Sequence, residues 1–209
     1  MIEVKDFISD FDAEVFNTKN KSPWEITNQL DVLLIEKLKT LSENYIINGN
    51  IAIHKSADIE EGAILKGTII INENCRVGAY AYLRGPIFLG KSVNIGPSSE
   101  IKQSIILDHS ATAHFNYIGN SIIGKNVNFE AGSICANHFN EREEKNISVI
   151  YNDEVIYTDI HKFGSLVGDD SKIGANAVLS PGTILHKKTI VKRLELVEQV
   201  LQQNKKCSP

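Results

Sequence analysis

Long apolar runs, an excess of basic residues and a cysteine framework are all missing from these 209 residues. No apolar run approaches the 18 or so residues that a membrane-spanning helix needs. Lys and Arg total 22 against 26 Asp and Glu, a formal net charge of −4. The broad basic surface of a non-specific nucleic-acid binder is therefore lacking, and any anion site must be a local cluster. Three cysteines, Cys75, Cys135 and Cys207, are few and irregularly spaced, which excludes a disulfide scaffold and indicates a reducing compartment. The opening Met1-Ile2-Glu3-Val4-Lys5-Asp6 is already charged and has no signal-peptide core. The expectation is a soluble, cytoplasmic protein.

What is present is a repeat. Stepping by six from Ile53 meets Ile59, Leu65, Ile71, Val77, Leu83, Leu89, Ile95, Ile101, Leu107 and Ala113, all aliphatic. With aliphatics at about a third of positions, chance gives such a run about once in 10⁵ trials. A second stretch follows in a shifted phase, Tyr117, Ile123, Phe129, Cys135, and a third runs Val167, Ile173, Leu179, Leu185. Glycine often comes next, as at Gly78, Gly90, Gly96, Gly124, Gly168 and Gly174. A period of six fits neither a 3.6-residue helix nor an unbroken alternating strand. It fits a short strand plus a tight turn, three of which close a triangular coil of about 18 residues. Coils then stack about 4.8 Å apart, like neighbouring strands. The pattern resembles the hexapeptide-repeat, left-handed parallel β-helix acyltransferases; the left hand, an exception to the usual crossover rule, comes from that resemblance. The fold class expected is all-β. A bare repeat scaffold without chemistry is the alternative.

The ends differ from the repeat. Ser22-Pro23 reads as a helix start with Pro at the first position, and Trp24, Ile26, Leu30, Leu33, Leu34, Leu38 and Leu41 follow at helical spacing. This helix is expected to cap the open end of the prism, within an N-terminal cap of residues 1–50. The β-helix is expected over 51–187, stopping after Leu185. Leu194, Val197 and Leu201 suggest a closing helix in 188–209. Residues 138–162 break the repeat, and Ser148-Val149-Ile150-Tyr151, Asn152-Asp153, Glu154-Val155-Ile156-Tyr157 reads as a hairpin inserted near 141–160.

The position after each aliphatic carries a long cation at Lys66, Arg84 and Lys102. Their 18-residue spacing stacks them on one face about 4.8 Å apart. Like charges so stacked repel unless an anion lies between them, and a phosphate suits an Arg fork and a Lys point charge. A solvated surface ladder is the plainer alternative. His114 lies twelve residues past Lys102, on another face, where the repeat changes phase before Tyr117. A repeat that breaks its rule at His and Tyr suggests function; a structural histidine is the alternative.

These residues carry a closer resemblance. The segment from Leu83-Arg84 through Glu100-Ile101-Lys102, Ala113-His114-Phe115-Asn116-Tyr117 and Asn128-Phe129-Glu130-Ala131-Gly132 to Ala136-Asn137-His138, with Lys162-Phe163-Gly164 and Val167-Gly168-Asp169-Asp170, is similar to a known domain. It is the acetyltransferase domain of the bifunctional N-acetylglucosamine-1-phosphate uridylyltransferase/glucosamine-1-phosphate acetyltransferase family. The similarity covers roughly residues 75–185. The Pro23-Trp24-Glu25 start, the hairpin and Lys162-Phe163-Gly164 look more like a sister branch, described as sugar-1-phosphate nucleotidyltransferase-like. The resemblance implies that Arg84, Lys102, Lys162 and Tyr117 bind a sugar phosphate and that Asn128 holds the ring. It further implies His114 as general base, and Ala131, Asn137 and Ala175 as lining for acetyl-CoA.

The chemistry asks for such groups. An amine attacking a thioester must lose a proton, a task that suits an imidazole. The oxyanion needs fixed donors, which Asn137 or a turn amide offers. Departures exist: Ala136-Asn137-His138 stands for the usual Cys-Asn-Tyr, Ala175 for the usual Ser, and the prism reads about one coil short. No Gly-rich phosphate loop is present, so uridylyl transfer is expected on another polypeptide. A homotrimer with a site at an edge or shared between subunits is expected, with no metal. One rival is a γ-class carbonic anhydrase-like zinc site from His109, His114 and Glu73; the other is a non-catalytic trimeric scaffold that still binds a sugar phosphate.

Overall fold

The computed structural model describes residues 2–11, 18 and 20–198. Its body is a three-sided parallel β-helix, consistent with the left-handed class expected. One side, here face 1, stacks seven two-residue strands: Asp58–Ile59, Arg76–Val77, Asn94–Ile95, Ala111–Thr112, Asn128–Phe129, Lys172–Ile173 and Ile190–Val191. A larger sheet wraps the other two sides. Face 2 holds Ile64–Lys66, the first halves of Tyr82–Leu89 and Glu100–Ile106, then Tyr117–Gly119, Ile134–Cys135, Val178–Leu179 and Leu196–Val197. Face 3 holds Ile51–His54, Ile69–Ile71, the second halves of the same two long strands, Ile122–Ile123, Ser165–Val167 and Thr183–Leu185.

Each coil sends one aliphatic per face into the prism. Ile71, Val77, Leu83, Leu89, Ile95 and Ile101 are fully buried in one cluster, as the period of six requires. Removing one such side chain costs about 2–5 kcal/mol. The turns demand left-handed backbone: Tyr80, Ser98, Phe115 and Asn176 have φ between 54° and 59°. Asn tolerates this better than an aromatic residue does.

The phase change lies earlier than the sequence suggests. Lys102 pairs with Arg84, but Ile105 pairs with Phe88 and Ile106 with Leu89, so one residue is lost at the corner around Gln103. The inward residues thereafter are Ile106, Thr112 and Ile118, not Leu107, Ala113 and Tyr117. Leu107 is buried on the outside of face 3 instead. Three aliphatics in a row, Ile105-Ile106-Leu107, hide the slip.

Two expectations about the ends are corrected. The helices, Pro23–Asn28 and Leu30–Leu38, lie along face 3 and do not cap the open end. Their Trp24, Ile26, Leu30 and Leu34 pack on the outward Ile70, Phe88, Ile105 and Ile122, because face 3 carries aliphatics on both sides. Ser22 N–H donates to Glu25 at 2.7 Å and starts the first helix as read. The exposed edge is covered by a strand, Tyr45–Asn48, antiparallel to Ile51–His54. At the other end, residues 190–197 form two more strands where a helix was expected. Stepping six from Leu185 lands on Val191 and Val197, both packed on the core. The missing glycines after them, replaced by Lys192 and Glu198, conceal the repeat. Leu201, the last member of the expected helix, and Cys207 lie outside the described residues.

The insertion follows the expected form. Ser148–Tyr151 pairs with Glu154–Tyr157 around Asn152-Asp153, both with positive φ, the geometry of a tight two-residue hairpin. The coil resumes where Ser165 N–H meets Ser121 Oγ at 3.0 Å, 44 positions apart in sequence.

Candidate functional site

The cation ladder is built as its spacing requires: Lys66, Arg84, Lys102 and then Gly119 are register partners at the end of face 2. The insertion leaves the prism at the same corner, after Asn137, and returns there through Lys162 and Phe163, whose N–H donates to Asn137 O at 3.1 Å. A fourth cation, Lys162, thus reaches the ladder beside Lys102. Burial holds the Lys102 ammonium below its ordinary range, and Lys162 and Arg84 push it further down. Arg84 leans on Tyr82 at 5.8 Å from the ring centroid and pairs with Glu100, which holds its guanidinium firmly protonated. Its Nε is nonetheless buried with no hydrogen-bond partner among the described residues.

Tyr117 stacks on Glu100 in the register. Burial, and then Glu100, push its hydroxyl above the usual phenol range, so it stays protonated. The hydroxyl lies over Gly119: a Cβ there would sit 2.6 Å from Tyr117 Oη and 2.9 Å from the Asn137 amide. Asn137 is buried and donates from Nδ2 to Asn120 Oδ1 at 2.6 Å. Its Oδ1 faces His138 Nδ1 at 3.1 Å. Sequence reasoning passed over Glu100 and Asn120 and treated His138 only as a departure. Glu100 shares a strand face with Lys102 two residues on, a signal the sequence offered, whereas the place of Asn120 and His138 depends on the corner at Gln103, which the repeat does not reveal.

His114 sits elsewhere. It is exposed in the turn between Ala111–Thr112 and Tyr117–Gly119, the corner between faces 1 and 2. Its ring meets Phe115 edge-on at 5.5 Å. Ala131 and Ala175 stack on it: Gly132 N–H donates to His114 O, Asn176 N–H to Ala131 O, and Leu194 N–H to Ala175 O. Arg193 ends this corner column and reaches Glu130, which also accepts from Ala175 N–H at 2.9 Å. Asn128 lies on face 1, between Ala111 and Lys172 in the register. One chain therefore gathers Arg84, Lys102, Lys162, Tyr117 and Asn137 at one end of face 2, and places His114, Ala131 and Ala175 at the other, roughly 10 Å along the strand. The residues named for zinc are not gathered. Glu73 pairs with Lys91 at 2.8 Å, and His109 occupies the turn between faces 3 and 1. No cluster of three metal-ligating side chains occurs among the described residues, and none of their helices is long and apolar enough to cross a membrane.

Residues 47–137 match the family model described as the GMPPB C-terminal domain. A bifunctional GlmU protein of Methanocaldococcus jannaschii is 35% identical over 165 residues, 77% of this chain and 40% of that protein. A bifunctional sugar-1-phosphate nucleotidylyltransferase/acetyltransferase of Sulfurisphaera tokodaii is 35% identical over 83 residues, 39% of this chain and 20% of that protein. A GlmU of Methanococcus maripaludis is 31% identical over 104 residues, 50% of this chain and 25% of that protein. The chain thus spans between a fifth and two fifths of the length of these curated relatives. Among solved structures, a GDP-perosamine N-acetyl transferase from Caulobacter crescentus has 11% identity over 81% of this chain and 68% of that one, with a TM-score of 0.29. Through its hexapeptide-repeat coils, this chain is similar to the acetyltransferase domain of GlmU-type bifunctional proteins.

Proposed function

We propose that this protein transfers an acetyl group from acetyl-CoA to the amine of an amino-sugar phosphate, with glucosamine-1-phosphate as the first acceptor to try. The observation that carries the reading is the three-cation cluster of Arg84, Lys102 and Lys162, with the buried, unpartnered Arg84 Nε. A phosphate satisfies all three and removes their mutual repulsion. Tyr117, held protonated, adds a donor. Asn128 holds the ring, and Ala131 and Ala175, small residues on the corner column, leave room for the acetyl-CoA chain. His114 accepts the amine proton as the C–N bond forms. Asn137 or a turn amide steadies the oxyanion, and the C–S bond breaks to release CoA.

His114 and the cations lie at opposite ends of face 2, so a complete site joins two copies. Face 3 is covered by the helices and the insertion, which leaves faces 1 and 2 to pack. Tyr80, Phe115 and Leu194, 75%, 68% and 79% exposed, line the corner that carries His114. A homotrimer closes such contacts about a threefold axis. Light scattering at micromolar concentration should give three times the chain mass; a monomer contradicts the shared site. The free, buried thiols Cys75 and Cys135 suit a cytoplasmic setting.

A thiol-release assay with acetyl-CoA and glucosamine-1-phosphate tests the activity. A second reading, a sugar-phosphate-binding scaffold without turnover, is favoured by Ala175 and by Arg193 reaching Glu130 beside it. Phosphate binding without CoA release would support that reading.

A further inference from the structure

We propose that His138 is a specificity-determining residue, whose Nε2 accepts a hydrogen bond from a hydroxyl of the bound sugar next to its phosphate. This rests on the phosphate cradle proposed above. Asn137 Nδ2 donates to Asn120 Oδ1, so the same amide presents its oxygen to His138 Nδ1. An acceptor at Nδ1 fixes the neutral ring as the Nδ1–H tautomer and leaves a lone pair on Nε2. Both asparagines are buried, at 2% and 1% exposure, while the His138 ring is open to solvent. The orienting pair is therefore set into the prism and the oriented nitrogen is available to a ligand.

The surrounding groups make this nitrogen distinctive. Arg84, Lys102 and Lys162 only donate. Glu100 is engaged by Arg84. Tyr117 is kept protonated, and the Asn120 and Asn137 oxygens are already engaged. Among the described side chains of this cluster, His138 Nε2 is a neutral acceptor that is exposed, whereas the asparagine oxygens are buried and already hold a partner. A phosphate monoester bound as its dianion has no proton to donate to it, and a second ammonium is repelled by the three cations. A sugar hydroxyl donates without adding charge. The amine is then directed away from the cations, toward the His114 that a second copy supplies. A site built to pair with a hydroxyl rejects analogues that lack it.

The test uses the full-length protein and calorimetric titration with glucosamine-1-phosphate, phenyl phosphate and inorganic phosphate. His138→Phe should weaken glucosamine-1-phosphate binding about five- to tenfold, the reach of one hydrogen bond. It should leave phenyl phosphate and inorganic phosphate unchanged. His138→Gln, which keeps an acceptor oxygen, should recover most of the loss. Thermal midpoints confirm that both variants fold, and ¹⁵N spectra of the neutral imidazoles, assigned by the signal lost in His138→Gln, should show Nε2 as the unprotonated nitrogen. Protonated Nε2, or equal losses for all three ligands, overturns the assignment. If the native protein binds the ligands and His138→Phe binds them equally well, the role of His138 falls and the cradle stands. If the native protein binds none of them at millimolar concentration, the cradle itself fails and takes this role with it.

Discussion

Gly119 lies under the Tyr117 hydroxyl so closely that a methyl group added to it would come within 2.6 Å of Tyr117 Oη. Glycine here serves close approach, since its φ is not among the left-handed values of the chain. Gly119→Ala should therefore displace Tyr117 or the Asn137 amide, an overpacking cost of about 1–3 kcal/mol. The thermal midpoint should fall and binding of glucosamine-1-phosphate should weaken. A variant with native stability and native binding contradicts the tight packing described for this corner.

Lys102 is a residue whose charge is held against the preference of its surroundings. Its folded-state affinity for the proton is depressed by burial and by Lys162 and Arg84. Where a lysine's folded pKa lies below its unfolded value, the unfolded chain binds more protons in the window between them. Stability therefore rises as pH climbs through that window toward the ordinary lysine value, and the cost is fully present below it. Without ligand, Lys102→Met should be at least as stable as the native protein at neutral pH, with the difference shrinking at alkaline pH. Added phosphate should raise the native midpoint more than that of the variant. A variant that is less stable, yet gains as much from phosphate, would count against the cradle.

The repeat, the hairpin and the cation ladder were legible in the sequence because each depends on local spacing. Lys66, Arg84 and Lys102 pair simply because 18 residues make a coil. The slip at Gln103 was not legible: Ile105, Ile106 and Leu107 satisfy either phase, and only pairing across the coil selects Ile106. The coil through Val191 and Val197 kept its period but lost its glycines, and Leu194 fits a helix equally well until its turn, at φ 59°, is seen. The helices' position followed from a property that no single period shows. Face 3 needs apolar residues on both sides of its strands, as at Ile69, Ile70 and Ile71, all fully buried.

Removing the chain from Lys188 onward should be costly. Ile190–Val191 and Leu196–Val197 pair with Lys172–Ile173 and Val178–Leu179, and Arg142 of the insertion pairs with Glu198 at 2.8 Å. Truncation after Lys187 should lower the midpoint by several degrees, as loss of buried Val191 exposes the coil beneath. An unchanged midpoint would contradict the packing of these two strands on the coil beneath.

Cys75 and Cys135 should be inert in the native state. Burial pushes the Cys75 thiol up to about 11 and the Cys135 thiol up to about 12, and only the thiolate reacts. Peptide mapping after iodoacetamide treatment at pH 8 should find both unmodified until denaturant is added. Rapid labelling of either would mean that the prism opens.

The acyl-transfer claim turns on His114, exposed on the corner column and three residues before Tyr117. Since its ring has no hydrogen bond among the described residues, truncating it should leave the thermal midpoint in place. The decisive measurement is the rate of CoA release from acetyl-CoA with glucosamine-1-phosphate as acceptor, native protein against His114→Ala. Acceptor-dependent release by the native protein is expected, with kcat lower by about 10²- to 10⁴-fold in the variant and acceptor affinity nearly unchanged. Full turnover by the variant, or no acceptor-dependent release from a native protein that binds the sugar phosphate, contradicts the acyl-transfer claim.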